Sequence, residues 1–157
     1  MRNDPRTRSD ERIVPPYPLP HVSRRALNRV SDYMAPPAQC RYCGGPVELV
    51  ANDAIYGRLY GDWPYAYRCS PCDAHVGLHP NTDLPLGILA DRALRSAKTE
   101  AKHKWQQLSR LKGWKRGEAY RWLAEAMEIP RPECHFGHFD ESRCGLALEL
   151  CSKELSR

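Results

Sequence analysis

The chain has 157 residues, a formal net charge of +5, a hydrophobic fraction of 41% and a charged fraction of 27%. That length suits one compact domain or a small metal module with a helical partner, and no segment reaches the roughly 18 apolar residues of a membrane span. The seven cysteines are an odd number, and the charged N-terminus has no apolar signal core behind it. Together these argue against a secreted disulfide scaffold and for a reduced, cytoplasmic chain without membrane contact.

Residues 1–22 contain Pro5, Pro15, Pro16, Pro18 and Pro20, which block helix and sheet, so a flexible N-terminal arm is expected. Ser23 is a suitable N-cap for a short helix over 24–33, where Ala26, Val30 and Tyr33 fall on one face. Pro36 and Pro37 stop it, making 23–38 a short helix and linker. Residues 39–84 read as β structure. Val47 and Leu49 mark one strand, 55–60 a second, 65–68 a third and 74–78 a short fourth, with turns at Asn52-Asp53 and Gly61-Asp62. Residues 85–157 read as helical. Leu86, Leu89, Ala90, Ala93, Leu94 and Ala97 recur at helical spacing, and the pattern runs on through Trp105 and Leu108 to Gly113. A second helix fits Arg116–Met127 and ends at Ile129-Pro130. A third starts with Asp140 as N-cap and passes through Leu146, Leu150 and Cys151.

Four of the cysteines form two pairs, Cys40-Arg41-Tyr42-Cys43 and Cys69-Ser70-Pro71-Cys72. Two intervening residues let a tight turn aim both sulfurs at one ion, and Gly44 and Gly45 follow the first pair where the chain must bend. The 25 residues between the pairs leave room for a three-stranded excursion. Four thiolates complete a tetrahedral zinc shell with no place for water, so one structural Zn2+ is expected rather than a catalytic one. The competing reading makes one pair a redox dithiol, but neither pair opens a helix beside a strand. The expected fold class is α+β: a zinc-ribbon-like β module followed by about three packed α-helices.

The run CRYCGGPVELV, the segment IYGRLYGDWPYAYRCSPCDAHVGLHPNTDLPLGILA and the later EAYRWLAEAMEIPRPECHFGHFDESRC resemble the zinc-finger-containing domain of unknown function found mostly in bacteriophage and prophage proteins. The resemblance covers about residues 39–151. It implies a phage-type zinc protein, placed in the host cytoplasm if phage-encoded, with metal binding at Cys40, Cys43, Cys69 and Cys72. It implies no activity.

Charge is concentrated in one place. Residues 92–121 hold 10 basic and 2 acidic side chains, whereas 40–91 hold 3 basic and 6 acidic. Arg92, Arg95, Lys98, Lys102, Lys104, Arg110, Lys112, Lys115 and Arg116 are the candidate contacts to DNA or RNA phosphates, with Arg121 at the end of the segment and Trp105 and Trp114 interleaved as stacking surfaces. The competing reading is a solvated helix face with Trp105 in the core. A module binding a host protein is the first alternative function. A small nuclease using His79, His103, His135 and Asp140 is the second. Cys134, His135, His138 and Cys144 have the residue types of a second metal site but poor spacing. Cys144 and Cys151, seven apart, equally suit a buried helix face. Tyr56, Tyr60, Tyr65 and Tyr67 read as an alternating strand set, which is more often packing than a binding face.

Overall fold

The computed structural model describes residues 3–157. The fold is α+β, with five α-helices and one three-stranded antiparallel sheet among the described residues. The chain divides into two compact units, Met1–Asp91 and Arg92–Arg157.

The first unit is built on the sheet. α1 (Arg24–Asn28) precedes it, with the Ser23 hydroxyl accepting from the Ala26 N–H at 3.2 Å. This helix is shorter than the expected 24–33, because Arg29 and Val30 close on the carbonyls of Ala26 and Leu27. β1 (Val47–Ala51) pairs antiparallel with β2 (Tyr65–Cys69), setting Val47 opposite Cys69 and Leu49 opposite Tyr67. β2 also pairs antiparallel with β3 (His75–Gly77), with Tyr67 opposite Val76. The central strand is therefore the most enclosed, and Ala66, Tyr67 and Cys69 are buried. Tyr67 and Cys69 share a core with Leu19, Cys40, Ala74, Leu78 and Leu89, with Val47, Leu49 and Val76 packed against it. A smaller cluster joins Leu27, Val30 and Leu84.

Three expectations for this unit are overturned. Residues 55–60 are not a strand. The Asn52 carbonyl accepts from the Ile55 and Tyr56 N–H groups, making α2 (Asp53–Tyr56), a single helical turn that Gly57 ends at φ +76°. The Asn52 side chain then binds both backbone groups of Tyr60, donating Nδ2–H to its carbonyl at 2.8 Å and accepting its N–H on Oδ1 at 3.0 Å. A side chain that satisfies the backbone locally removes the need for a ladder. Residues 85–91 do not open a helix either. Leu86 donates to Gly77, and Ala90 exchanges both backbone bonds with His75, so this stretch runs beside β3.

The third correction concerns the proline-rich N-terminus, which is seated rather than free. Arg6 places its guanidinium between Asp4 and Asp83, with 2.7 Å to Asp4 Oδ2 and 2.6 Å to Asp83 Oδ1. The Asp83 contact is bidentate, since a second nitrogen reaches Oδ2 at 3.0 Å. Asp4 is only 2% exposed. Further along, Leu19 enters the sheet core, and the Ser23 N–H donates to the Asn81 carbonyl at 2.9 Å. The Tyr67 hydroxyl donates to the Asp83 carbonyl, which links the clamp to the central strand. Pro5 opens a short 3-10 helix, Pro5–Arg8, in which the Asp4 carboxylate accepts the Arg6 N–H at 2.8 Å, so the prolines neither exclude all helix nor prevent docking.

The second unit holds three helices, as the sequence pattern predicts. α3 (Arg92–Lys112) buries Leu94, Ala101, Trp105 and Leu108. α4 (Arg116–Met127) buries Ala119, Tyr120, Leu123, Ala124 and Met127. α5 (Glu141–Leu155) buries Cys144, Ala147 and Cys151 and packs mainly along α3. Gly113, at φ +67°, makes the turn between the first two. Asp140 caps α5 by accepting the Arg143 N–H at 2.9 Å. Trp105 lies 4.4 Å from the Tyr120 ring and donates Nε1–H to the Ala119 carbonyl at 3.2 Å, so it is a core residue.

The clamp at Arg6 generates a pH prediction. Burial pushes the Asp4 carboxyl up, but the Arg6 hydrogen bonds outweigh it and leave its pKa below the usual carboxylate value. A folded pKa below the unfolded one stabilises the fold above about pH 4, and that stability fades as pH falls through the folded value. Arg6→Ala would leave two acidic groups facing each other without a counter-charge. With the Arg6 side chain 34% exposed, a loss of roughly 2–3 kcal/mol is expected, below the full range for a buried pair. Urea unfolding of the variant at neutral and acidic pH checks this, and the difference from the parent chain should shrink in acid.

Candidate metal centre

Two matching turns carry the four sulfurs. In the first, the Cys40 N–H donates to the Gly45 carbonyl and the Gly44 N–H to the Cys40 carbonyl, both at 2.9 Å. In the second, the Cys69 N–H donates to the Ala74 carbonyl at 2.8 Å and the Asp73 N–H to the Cys69 carbonyl at 3.0 Å. Both turns need a left-handed residue at the same place, supplied by Gly44 at φ +72° and by Asp73 at φ +60°. Aspartate tolerates that region better than most side chains, and Arg68 holds it with a 2.6 Å ion pair. β1 begins just after the first turn and β2 runs directly into the second, so the sheet register brings the two turns together.

The sulfurs converge. Cys40 and Cys72 Sγ are 3.5 Å apart, Cys43 and Cys69 Sγ are 3.4 Å apart, and all four ligand atoms lie within 4.8 Å of one another. Thiolates at about 2.3 Å from a tetrahedral zinc stand about 3.8 Å from each other. These separations suit a shared ion and are far longer than the roughly 2.05 Å of a disulfide; none of the seven cysteines is disulfide-bonded. The Tyr42 and Gly45 N–H groups donate to Cys40 and Cys43 Sγ, each at 3.4 Å. Such bonds stabilise thiolates in the second shell of a metal. Burial works against ionising Cys40, but the Cys43 and Tyr42 backbone N–H groups bring its thiol down to about 7. Burial pushes Cys69 up to about 12. Cys40 and Cys69 are buried while Cys43 and Cys72 are exposed, so the site spans core and surface.

Gly45 matters for a different reason from Gly44. A Cβ on Gly45 would meet the Pro71 ring at 2.8 Å and Cys43 Sγ at 3.2 Å. The two turns approach so closely that only hydrogen fits between them.

The remaining sequence candidates lie on several different elements. Leu94, Ala101, Trp105 and Leu108 define the buried side of α3. At 3.6 residues per turn, Arg92, His103 and Arg110 lie on the opposite side, with Arg95 and Lys102 along one flank. Lys98 and Lys104 leave the helix at the edges of the buried side. Lys98 donates to the Gly137 carbonyl at 2.8 Å, and Lys112 pairs with Glu154 at 3.6 Å. Lys115 is the N-cap residue of α4, its N–H bound to the Glu118 carboxylate at 2.8 Å. Arg116 sits 5.3 Å over the Tyr120 ring. Trp105 is not available for stacking, whereas Trp114 is half-buried, 5.5 Å from Trp122.

Among the nuclease candidates, His79 accepts from Thr82 through its carbonyl and belongs to the first unit. His103 is on the outer side of α3, His135 lies 5.9 Å from the Tyr120 ring, and the Asp140 carboxylate is engaged as a helix cap. Among the described residues, the four-cysteine group is the one cluster of three or more convergent metal-ligand side chains. Cys134, Cys144 and Cys151 are buried. Burial raises their thiols to about 11, 11 and 12 respectively, the behaviour of small core hydrophobes. Of the four tyrosines, Tyr65 and Tyr67 lie in β2 and help to form the core, while Tyr56 and Tyr60 stand outside the sheet. The Asp4–Arg6–Asp83 clamp and the Asn52 lock had no recognisable motif.

The zinc-finger-containing domain family matches residues 36–154, and the chain belongs to that family. No curated protein and no solved structure matches it. The family and the four-cysteine cluster together support zinc binding. No helix among the described residues is long and apolar enough to cross a membrane.

The steric difference between glycines gives a direct check. Gly45→Ala should weaken zinc binding by roughly tenfold or more, since a shift of a few tenths of an ångström disturbs a tetrahedral shell. Gly117→Ala, with open space around it in α4, should leave affinity unchanged and raise stability by roughly 0.5–1 kcal/mol. Competition with a chromophoric chelator and thermal unfolding measure the two effects.

Proposed function

We propose that this chain is a non-enzymatic zinc module that contacts nucleic acid through the outer face of α3. One ion held by Cys40, Cys43, Cys69 and Cys72 is structural, because four thiolates leave no coordination position for a substrate or water. The observation that carries the nucleic-acid reading is the arrangement of Arg92 and Arg110 on the side of α3 opposite Leu94, Ala101, Trp105 and Leu108, with Arg95 and Lys102 along one flank. From Arg92 to Arg110 this line extends about 27 Å at 1.5 Å per residue. A basic line of that length follows several phosphates and releases their counterions, which gives affinity without base specificity. The contact set is thus smaller than the nine residues that charge alone suggests, because Lys98 and Lys112 are committed to Gly137 and Glu154.

The test is fluorescence anisotropy with short single- and double-stranded DNA and RNA across a salt series, with strand integrity read in the same samples. Binding should weaken steeply with salt. Substituting Ala for Arg92, Lys102 and Arg110 together should lower affinity and reduce the salt slope by about 3. Lys112→Ala should have little effect. No binding to any of the four at low salt would reject the reading, and cleaved strands would replace it with a nuclease.

A further inference from the structure

The second unit holds three of the chain's four tryptophans, and they are placed differently. Trp105 is 5% exposed and bonds its indole N–H to a carbonyl. Trp114 and Trp122 are only half-buried, with their rings 5.5 Å apart and tilted by 33°. Neither of these two indole N–H groups has a hydrogen-bond partner among the described residues, and no buried side-chain nitrogen is left unpartnered there, so both reach solvent. A tryptophan built only into a core usually bonds its N–H, as Trp63 and Trp105 do. The Trp114–Trp122 pair is thus an aromatic surface that the fold leaves open.

Its position selects the ligand. Arg95, Lys102 and Ser109 follow one another at intervals of seven residues, so they run down one flank of α3. Ser109 ends that flank by fixing Trp114. Its carbonyl accepts the Trp114 N–H at 3.0 Å, and its hydroxyl donates to the Trp114 carbonyl at 3.3 Å. The cations of the flank therefore lead directly to the indoles. Residues 92–157 hold 14 basic and 9 acidic side chains, an excess that attracts a polyanion. Beside Trp122 itself, α4 is acidic. Glu118 and Glu125 stand about one turn to either side of it, and carboxylates repel phosphate but tolerate a neutral ring. Cations followed by rings suit a strand whose phosphates track Arg95 and Lys102 and whose bases turn onto the indoles. In a duplex the grooves offer only base edges, whereas the bases of a single strand are free to stack on aromatic side chains.

We propose that the second unit binds single-stranded nucleic acid, with a base stacked on the Trp114–Trp122 pair at the end of the Arg95–Lys102 flank. This rests on the nucleic-acid reading and adds to it the type of strand and the residues that select it.

The test uses the full-length chain with added zinc and three probes of equal length: an oligothymidylate, an abasic strand with the same phosphates and no bases, and a duplex. By fluorescence anisotropy at one salt concentration, the oligothymidylate should bind roughly tenfold or more tighter than the abasic strand, and tighter than the duplex. Trp114→Leu should remove the advantage over the abasic strand while leaving abasic binding unchanged, and Trp114→Phe should keep most of it. Without any variant, the oligothymidylate should quench the intrinsic tryptophan fluorescence and the abasic strand should not. Equal affinity for the oligothymidylate and the abasic strand, or a duplex bound as tightly as the single strand, would overturn the proposal and leave phosphate contact standing. No binding to any of the three would overturn both.

Discussion

The first unit depends on the convergence of four sulfurs from two turns that are far apart in sequence but held within 4.8 Å of one another. Everything around them serves that approach. Gly44 and Asp73 supply the left-handed bends, and the pairing of Val47 with Cys69 fixes the register that superposes the turns. Gly45 lets Pro71 come close. A structural zinc in a small module is associated with roughly 10 kcal/mol or more of binding free energy at neutral pH. That exceeds the few kcal/mol assigned to the Arg6 clamp. The sheet has only three strands and a modest core, so on the proposed reading an ion of that worth would make it a stable scaffold.

Polar side chains hold the parts of this unit that lie away from the four sulfurs. Arg6 fastens the N-terminus to Asp83, and Tyr67 connects the same residue to the central strand. Trp63 adds a bond from its indole to the Thr82 carbonyl at 2.9 Å. These contacts gather at residues 82–84, which are buried although they are not in a strand. Asn52 does the equivalent work at the far end of β1. Each is a side chain closing on backbone or on a distant charge.

The parts of this architecture that the sequence disclosed are those with a period or a fixed spacing. The two cysteine pairs identified the site because ligand spacing is set by coordination geometry. α4 could be bounded to the residue, since its apolar positions and its Ile129-Pro130 stop are local signals. α5 was marked by Asp140 for the same reason. The 55–60 segment reads as a strand because Ile55, Tyr56 and Tyr60 are strand-favouring residue types, while the deciding contact is a single asparagine side chain reaching eight residues ahead. The clamp was illegible because Arg6 and Asp83 are 77 residues apart and no local pattern encodes their meeting. On α3, charge counting found the basic segment but not which residues point outward; that depends on where Leu94 and Trp105 face.

The central claim is that the ion organises the sheet, and the most direct measurement is a two-dimensional amide NMR spectrum of the full-length chain before and after zinc removal by a strong chelator. The account predicts that the amide signals of β1, β2 and β3 lose their dispersion on removal and regain it when one equivalent of zinc per chain is returned. Dispersed signals from all three strands in a fully metal-free chain would contradict it.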